Sequence, residues 1–175
     1  PGRALAIVTA PGQPAPAAWE LGGLVDLALQ SNNLAEARRW QAALTLARPE
    51  DQRALARLRD LALAGSDLEA AIQAQRKLVA AGGGRTASTR LADLLLQQGQ
   101  PMAAYQALVG LPAPDDSARR PWFDRLARLA EWSKRPDLAL PHLKDAWAAG
   151  PDAALGARLL SAAYQQPGSG SVALA

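Results

Sequence analysis

The chain contains no cysteine, which excludes disulfide scaffolds, thiolate zinc sites and cysteine nucleophiles. It has a single histidine, His142, so a multi-histidine metal site or a conventional hydrolase triad has no material to be built from. Lysine is nearly missing too. Three residues (Lys77, Lys134, Lys144) supply that side chain, and the other sixteen basic positions are arginine. Strand-favouring side chains are scarce: two Ile, five Val, four Thr, two Tyr and one Phe in 175 residues. Alanine and leucine fill the places they leave, and both are strong helix formers. The composition therefore points to an all-α protein. No apolar run approaches the roughly 20 residues needed to cross a bilayer, and no secretory leader is visible.

The net charge of +3 comes from 19 basic against 16 acidic residues, interspersed rather than blocked. Nucleic-acid binders carry a basic stripe or cluster. Here only Arg38-Arg39 and Arg119-Arg120 approach one, so no nucleic-acid partner is expected.

What is present is an internal repeat. The segments Asn33-Leu-Ala-Glu-Ala37, Asp67-Leu-Glu-Ala-Ala71, Gln100-Pro-Met-Ala-Ala104 and Arg135-Pro-Asp-Leu-Ala139 each follow one apolar helical stretch and open another. Their closing alanines are spaced 34, 33 and 35 residues apart, and Pro49 and Pro151 each stand twelve residues beyond an alanine of the set. Leu55, Leu58 and Ala62 form one helical stripe, and Ile72, Leu78 and Val79 another. A small alanine at the start of each second helix lets two backbones approach closely. Gly65, Gly82–Gly84 and Gly99 punctuate the helices and are expected to relieve positive φ there. A two-helix unit cannot bury its apolar face alone, so such units must stack.

With this period and these residues, the chain resembles the tetratricopeptide repeat family, a 34-residue helix–turn–helix unit with a W-x2-L-G-x2-Y…A-x3-F…P pattern. Leu91-Ala92 with Leu95 and the turn Gly99 fit one unit, Leu126-Ala127 with Ala130 the next, and Tyr164 with Gly168 a partial fifth. Val25 and Arg59 stand where the family has a small residue, and Gln41 and Gln75 where it has a large aromatic or apolar one. The resemblance implies a right-handed α-solenoid of about four full repeats, near 18–51, 52–84, 85–119 and 120–153. A partial repeat over 154–168 would follow. Residues 1–17 then read as the end of a preceding repeat and a Pro-rich loop. Within 1–17, Ala4–Ala10 reads as a truncated helix, with a short strand over Ala6–Ala10 as the competing reading, and 169–175 reads as the truncated start of a next helix. Both ends look cut in mid-repeat, as in a fragment of a longer solenoid.

Several motifs invite a chemical reading and do not sustain it. Gly82-Gly-Gly-Arg85 lacks the lysine and the strand of a phosphate loop. His142 has no nucleophile or carboxylate arranged around it, and a part-buried helical histidine is the expected state. Pro141 is expected near a helix start, where the missing N–H does no harm. Trp122, Trp132 and Trp147 are expected mainly in the core rather than as sugar-stacking platforms. No enzyme activity, metal or cofactor is expected.

The resemblance also implies which face meets a partner. The first helix of each unit lines the inner surface, and one register position there falls on Asp26, Asp60 and Asp93 in three successive units. Asp124 and Glu131 join that face in the fourth, beside Arg53 and Arg128, with Trp132 counted among the contact residues. Such a row would steer a cationic partner. It would also repel the C-terminal carboxylate of a chaperone tail. More narrowly, residues 122–140 resemble repeats in the periplasmic part of the Pel-type exopolysaccharide exporter. That likeness implies a periplasmic scaffold recruiting a polysaccharide deacetylase or hydrolase and guiding a partly cationic polymer to an outer-membrane pore. An adaptor for pilus or secretion-system assembly, and direct binding of a cationic glycan, are the alternatives.

Overall fold

The computed structural model describes residues 16–165, and every regular element among them is an α-helix. In chain order these are α1 (Leu21–Gln30), α2 (Leu34–Ala47), α3 (Gln52–Ala64), α4 (Leu68–Ala80), α5 (Gly84–Gln97), α6 (Pro101–Val109), α7 (Asp116–Trp132), α8 (Pro136–Ala149) and α9 (Ala153–Tyr164). The Ala4–Ala10 segment, most of the Pro-rich loop, Gly168 and the 169–175 tail lie outside the described residues.

Local chemistry sets the helix ends. Asn33, Asp67 and Asp152 each precede a helix and accept a hydrogen bond from the backbone N–H three residues on. Asp51 accepts from both Arg53 and Ala54. These side chains satisfy donors that the first helical turn leaves without partners. At the other end, the four first helices α1, α3, α5 and α7 close in the same way. The amides of Asn33, Asp67, Gln100 and Arg135 donate back to the carbonyls of Ala28, Ala62, Leu95 and Ala130, each at 2.9 Å. The residue just before each donor carries positive φ: Asn32 at 53°, Ser66 at 56°, Gly99 at 74° and Lys134 at 57°. This is the left-handed closure of a helix C-terminus, and it recurs with the same 34, 33 and 35 spacing as the alanines.

Gly65 therefore does not perform the expected task. Its φ is −87°, and the strained position falls on Ser66 one residue later. Gly65 instead lies under Arg38, whose guanidinium would stand 3.1 Å from any Cβ placed there. A serine in the left-handed region carries a steric cost that glycine lacks, whereas asparagine tolerates it better. Ser66→Gly should raise stability by about 0.5–1 kcal/mol, and Asn32→Gly should change it by much less. Thermal unfolding of the two variants checks this, and equal shifts would contradict it.

The described chain forms two compact units that divide after Leu94. In the first, α1 packs on α2, α2 on α3, and α3 on α4. Its core joins Leu21, Leu24, Val25 and Ala28 to Ala37, Trp40 and Leu61, and Leu55 to Leu78 and Ala87. In the second, α6 packs on α7, α7 on α8, and α8 on α9, with Leu126, Leu129, Leu143 and Leu155 buried. The alanines that open the second helices, Ala37, Ala71, Ala104 and Ala139, are each 0% exposed. At these sites a methyl group is all the space allows.

Pro141 departs from expectation. It stands inside α8, beyond the first turn, as Pro121 does inside α7. Each proline removes one N–H from the ladder, yet both helices continue through them.

Candidate functional site

In the first unit, the residues expected on the inner face occupy α1, α3 and α5. Asp26 on α1 is exposed and forms an ion pair with Arg57 on α3. Asp60 on α3 is exposed and takes a 2.7 Å contact from the guanidinium of its neighbour Arg59. Asp93 on α5 is half-buried. Arg53 is exposed in the first turn of α3, and among the described residues its guanidinium has no ion-pair partner. Asp26 and Asp60 are thus matched by arginine. Exposed pairs of this kind contribute little to stability, but they cancel much of the negative potential that a bare row would project.

Arg59 does more than cover Asp60. Its Nη1 donates to Oε1 of Gln75 at 3.0 Å. Gln75 is fully buried and its Nε2 donates to the backbone carbonyl of Ala87 on α5 at 2.7 Å. One period earlier, Gln41 is equally buried and donates to the carbonyl of Ala54 on α3 at 2.8 Å. The two glutamines that break the family pattern are therefore polar ties from one helical pair to the first helix of the next. Gln41 lacks the arginine, because Val25 stands at the equivalent of Arg59, and its Oε1 has no hydrogen-bond partner.

In the second unit, Asp124, Arg128 and Glu131 stand at i, i+4 and i+7 on α7, which places them along one side of the helix. Arg128 donates to Asp124 at 2.9 Å. Arg158 from α9 reaches across, donating to Glu131 through Nη2 at 2.9 Å and through Nε at 3.1 Å, and to Asp124 through Nη1. Burial favours the neutral form of the Asp124 carboxyl, but hydrogen bonds from Arg158 and Arg128 outweigh it and lower its pKa. Burial likewise opposes the charge on Arg158, and Glu131 and Asp124 more than restore it. The same helix pair carries an Arg120–Asp152 ion pair, and Asp152 also caps α9. A cleft of about 350 Å³ opens between these groups, lined by Arg120, Pro121, Asp124, Arg128, Leu155 and Arg158.

The tryptophans split. Trp122 is 8% exposed and belongs to the core, but Trp132 is 60% exposed and Trp147 39%. Trp147 lies against α9 at Gly156, where a Cβ would come within 2.9 Å of the indole ring. The expectation of a mainly core role fails for Trp132, which ends α7 with its ring in solvent.

His142 is held, not poised. Its Nε2 is 2.9 Å from the Tyr105 hydroxyl, its ring stacks near Phe123, and its Nδ1 has no hydrogen-bond partner. Burial lowers its pKa from 6.5, opposed by the charge of Asp145. The unfolded imidazole takes up its proton near pH 6.5 and the folded one only at lower pH, so protons favour the unfolded chain. The stability tied to this group is complete above about pH 6.5 and is lost as pH falls through the lowered folded value. Chemical denaturation from pH 7.5 down to 5 should show that loss, and His142→Leu should remove this component of it. An unchanged pH slope in the variant would assign the loss to the carboxylates.

Among the described residues, no three metal-ligating side chains gather, and no helix is long and apolar enough to cross a membrane.

Sequence reasoning missed Arg57 and Arg158 because each meets its partners from 27 to 34 residues away. The signal was the repeat itself, since one period brings α3 within reach of α1 in the first unit and α9 within reach of α7 in the second.

No protein-family model matches the chain, and no curated protein sequence matches it. Solved structures do. A structure of MamA superposes with a TM-score of 0.51 at 15% identity, covering 84% of this chain and 81% of that one. A second MamA structure gives 0.50 at 16%, covering 81% and 83%. A kinesin light chain protein of nearly identical TPR-like repeats from Podosopora anserina gives 0.50 at 16%, covering 85% and 82%. At this level of identity the likeness shows the fold, an all-α array of helix–turn–helix repeats of the tetratricopeptide type.

Proposed function

We propose that this chain is a non-enzymatic scaffold that binds protein partners through the first helices of repeats near 18–51, 52–84, 85–119 and 120–153. One observation carries this reading. Trp132, 60% exposed, stands at the end of the helix that also carries the Asp124–Arg128–Glu131 set held by Arg158. Exposed tryptophan beside arginine is the residue chemistry of interface hot spots. A protein partner fits better than a cationic glycan, because Asp26, Asp60, Asp124 and Glu131 are already engaged by arginine.

The resemblance of residues 122–140 to Pel-type exporter repeats supports a narrower role. In that reading the scaffold is periplasmic, recruits a polysaccharide deacetylase or hydrolase, and helps deliver polymer to an outer-membrane pore. The test is affinity capture with this chain from a Pel-producing bacterium, read by mass spectrometry, beside Trp132→Ala and an Asp26/Asp60/Asp93→Asn variant. Enrichment of such an enzyme, weakened about thirtyfold by Trp132→Ala, is the expected result. Capture of pilus or secretion components instead overturns the export role and leaves the scaffold. Capture of nothing overturns both.

A further inference from the structure

The first unit contains a cleft whose charge runs opposite to the aspartate row. Residues of α3 (Gln52, Arg53, Ala56, Arg59), α4 (Gln75, Leu78) and the start of α5 (Thr86, Ala87, Arg90), with Gly83 before it, enclose about 460 Å³. Three arginines line it and no carboxylate does. The lining combines an apolar part, Ala56, Leu78 and Ala87, with this cationic part. Leu78 and Ala87 are buried at 8% and 5% exposure.

The arginines differ in how they are held. Arg59 is fixed by the buried Gln75 at 3.0 Å and by Asp60 at 2.7 Å. Arg53 and Arg90 are exposed, and neither has an ion-pair partner among the described residues. They stand on different helices, α3 and α5, so the cleft presents two guanidinium groups with no ion-pair partner among the described residues together with a fixed one. Guanidinium groups bind carboxylates through paired N–H donors, and an uncompensated pair raises the local concentration of anions.

We infer that this cleft is a docking site for an acidic peptide segment of a partner protein, with carboxylates on Arg53 and Arg90 and an apolar side chain on Ala56, Leu78 and Ala87. The inference rests on the scaffold reading and names the chemistry of its partner. An extended polyanion fits less well. A nucleic-acid backbone needs a continuous basic track, and along these same first helices the neighbouring positions carry Asp26, Asp60 and Asp93.

The experiment uses fluorescence anisotropy on the full chain with three labelled probes. One is a short peptide alternating leucine and glutamate, one is its leucine–glutamine counterpart, and one is an oligo-dT of equal charge. The glutamate peptide should bind at least tenfold more tightly than the glutamine peptide. That margin should shrink as salt rises, because exposed charges are screened within about 8 Å at physiological ionic strength. Arg53→Gln with Arg90→Gln should abolish the margin while leaving thermal unfolding unchanged, since both side chains are exposed. Equal binding of the two peptides, an unaffected double variant, or tighter binding of oligo-dT would each overturn the assignment. The same double variant separates this failure from that of the scaffold reading. Partners captured by wild type and kept by the variant exclude the cleft alone, whereas a wild type that captures none excludes the scaffold.

Discussion

Ala71→Leu lowers the stability of the first unit by about 3 kcal/mol, while Ala80→Leu on the same helix changes it by less than about 0.5. Both are alanines of α4, and alanine and leucine have similar helix propensity, so the difference isolates packing. Ala71 is 0% exposed where α4 leaves its cap, whereas Ala80 is exposed at the far end. Three added carbons at the fully buried Ala71 must push α3 and α4 apart or adopt an eclipsed rotamer. Ala37, Ala104 and Ala139 are buried to the same degree and should respond alike. Urea unfolding with hydrogen exchange followed at α4 amides reads the effect locally. A loss at Ala71 no larger than that at Ala80 would mean that the helices have slack at their closest approach.

The second large effect separates two glutamines that look equivalent in sequence. Gln75→Leu should cost about 2 kcal/mol, and Gln41→Leu should be neutral within about 0.5 or slightly stabilising. Both side chains are 0% exposed and both donate to a helix carbonyl that already has an intrahelical partner. The difference is on the acceptor side. Gln75 Oε1 takes a hydrogen bond from Arg59, whose side chain is only 17% exposed, so leucine there strands a charged donor. Gln41 Oε1 has no hydrogen-bond partner, and leucine removes a buried polar atom that gains nothing. The chain holds its own precedent: Leu108 and Leu143 occupy the corresponding positions of α6 and α8, each 0% exposed, where the first-helix residue is Ala92 or Ala127. Adding Arg59→Ala to Gln75→Leu should therefore recover part of the loss, a coupling that a double-mutant cycle measures. Equal losses for the two single variants would show that the carbonyl bond, not the arginine, gives the glutamines their value.

The helices and their period were legible in the sequence because their causes are local. Alanine and leucine content, caps such as Asp67 and Asp51, and closing turns such as that at Gly99 act within one or two turns of chain. The 34, 33 and 35 spacing of Ala37, Ala71, Ala104 and Ala139 reappears in the left-handed residues Asn32, Ser66, Gly99 and Lys134. Even so, the positive φ expected at Gly65 falls one residue later on Ser66, since composition marks a turn but hydrogen-bond geometry selects which residue turns over.

The charge balance of the first-helix surface was decided at a different level. Asp26, Asp60, Asp124 and Glu131 read as an acidic row in sequence, and tertiary structure set Arg57 and Arg158 against Asp26, Asp124 and Glu131. Trp122 and Trp132 share one helix, yet one is buried and the other stands in solvent. Arg53 and Arg90 acquire their common cleft only when α3 and α5 lie near each other. Sequence determines what repeats every 34 residues along a helix, because helix geometry is set by neighbours in the chain. Which long side chain meets which charge depends on the helices one period away, so that part of the protein exists only once the helices have packed.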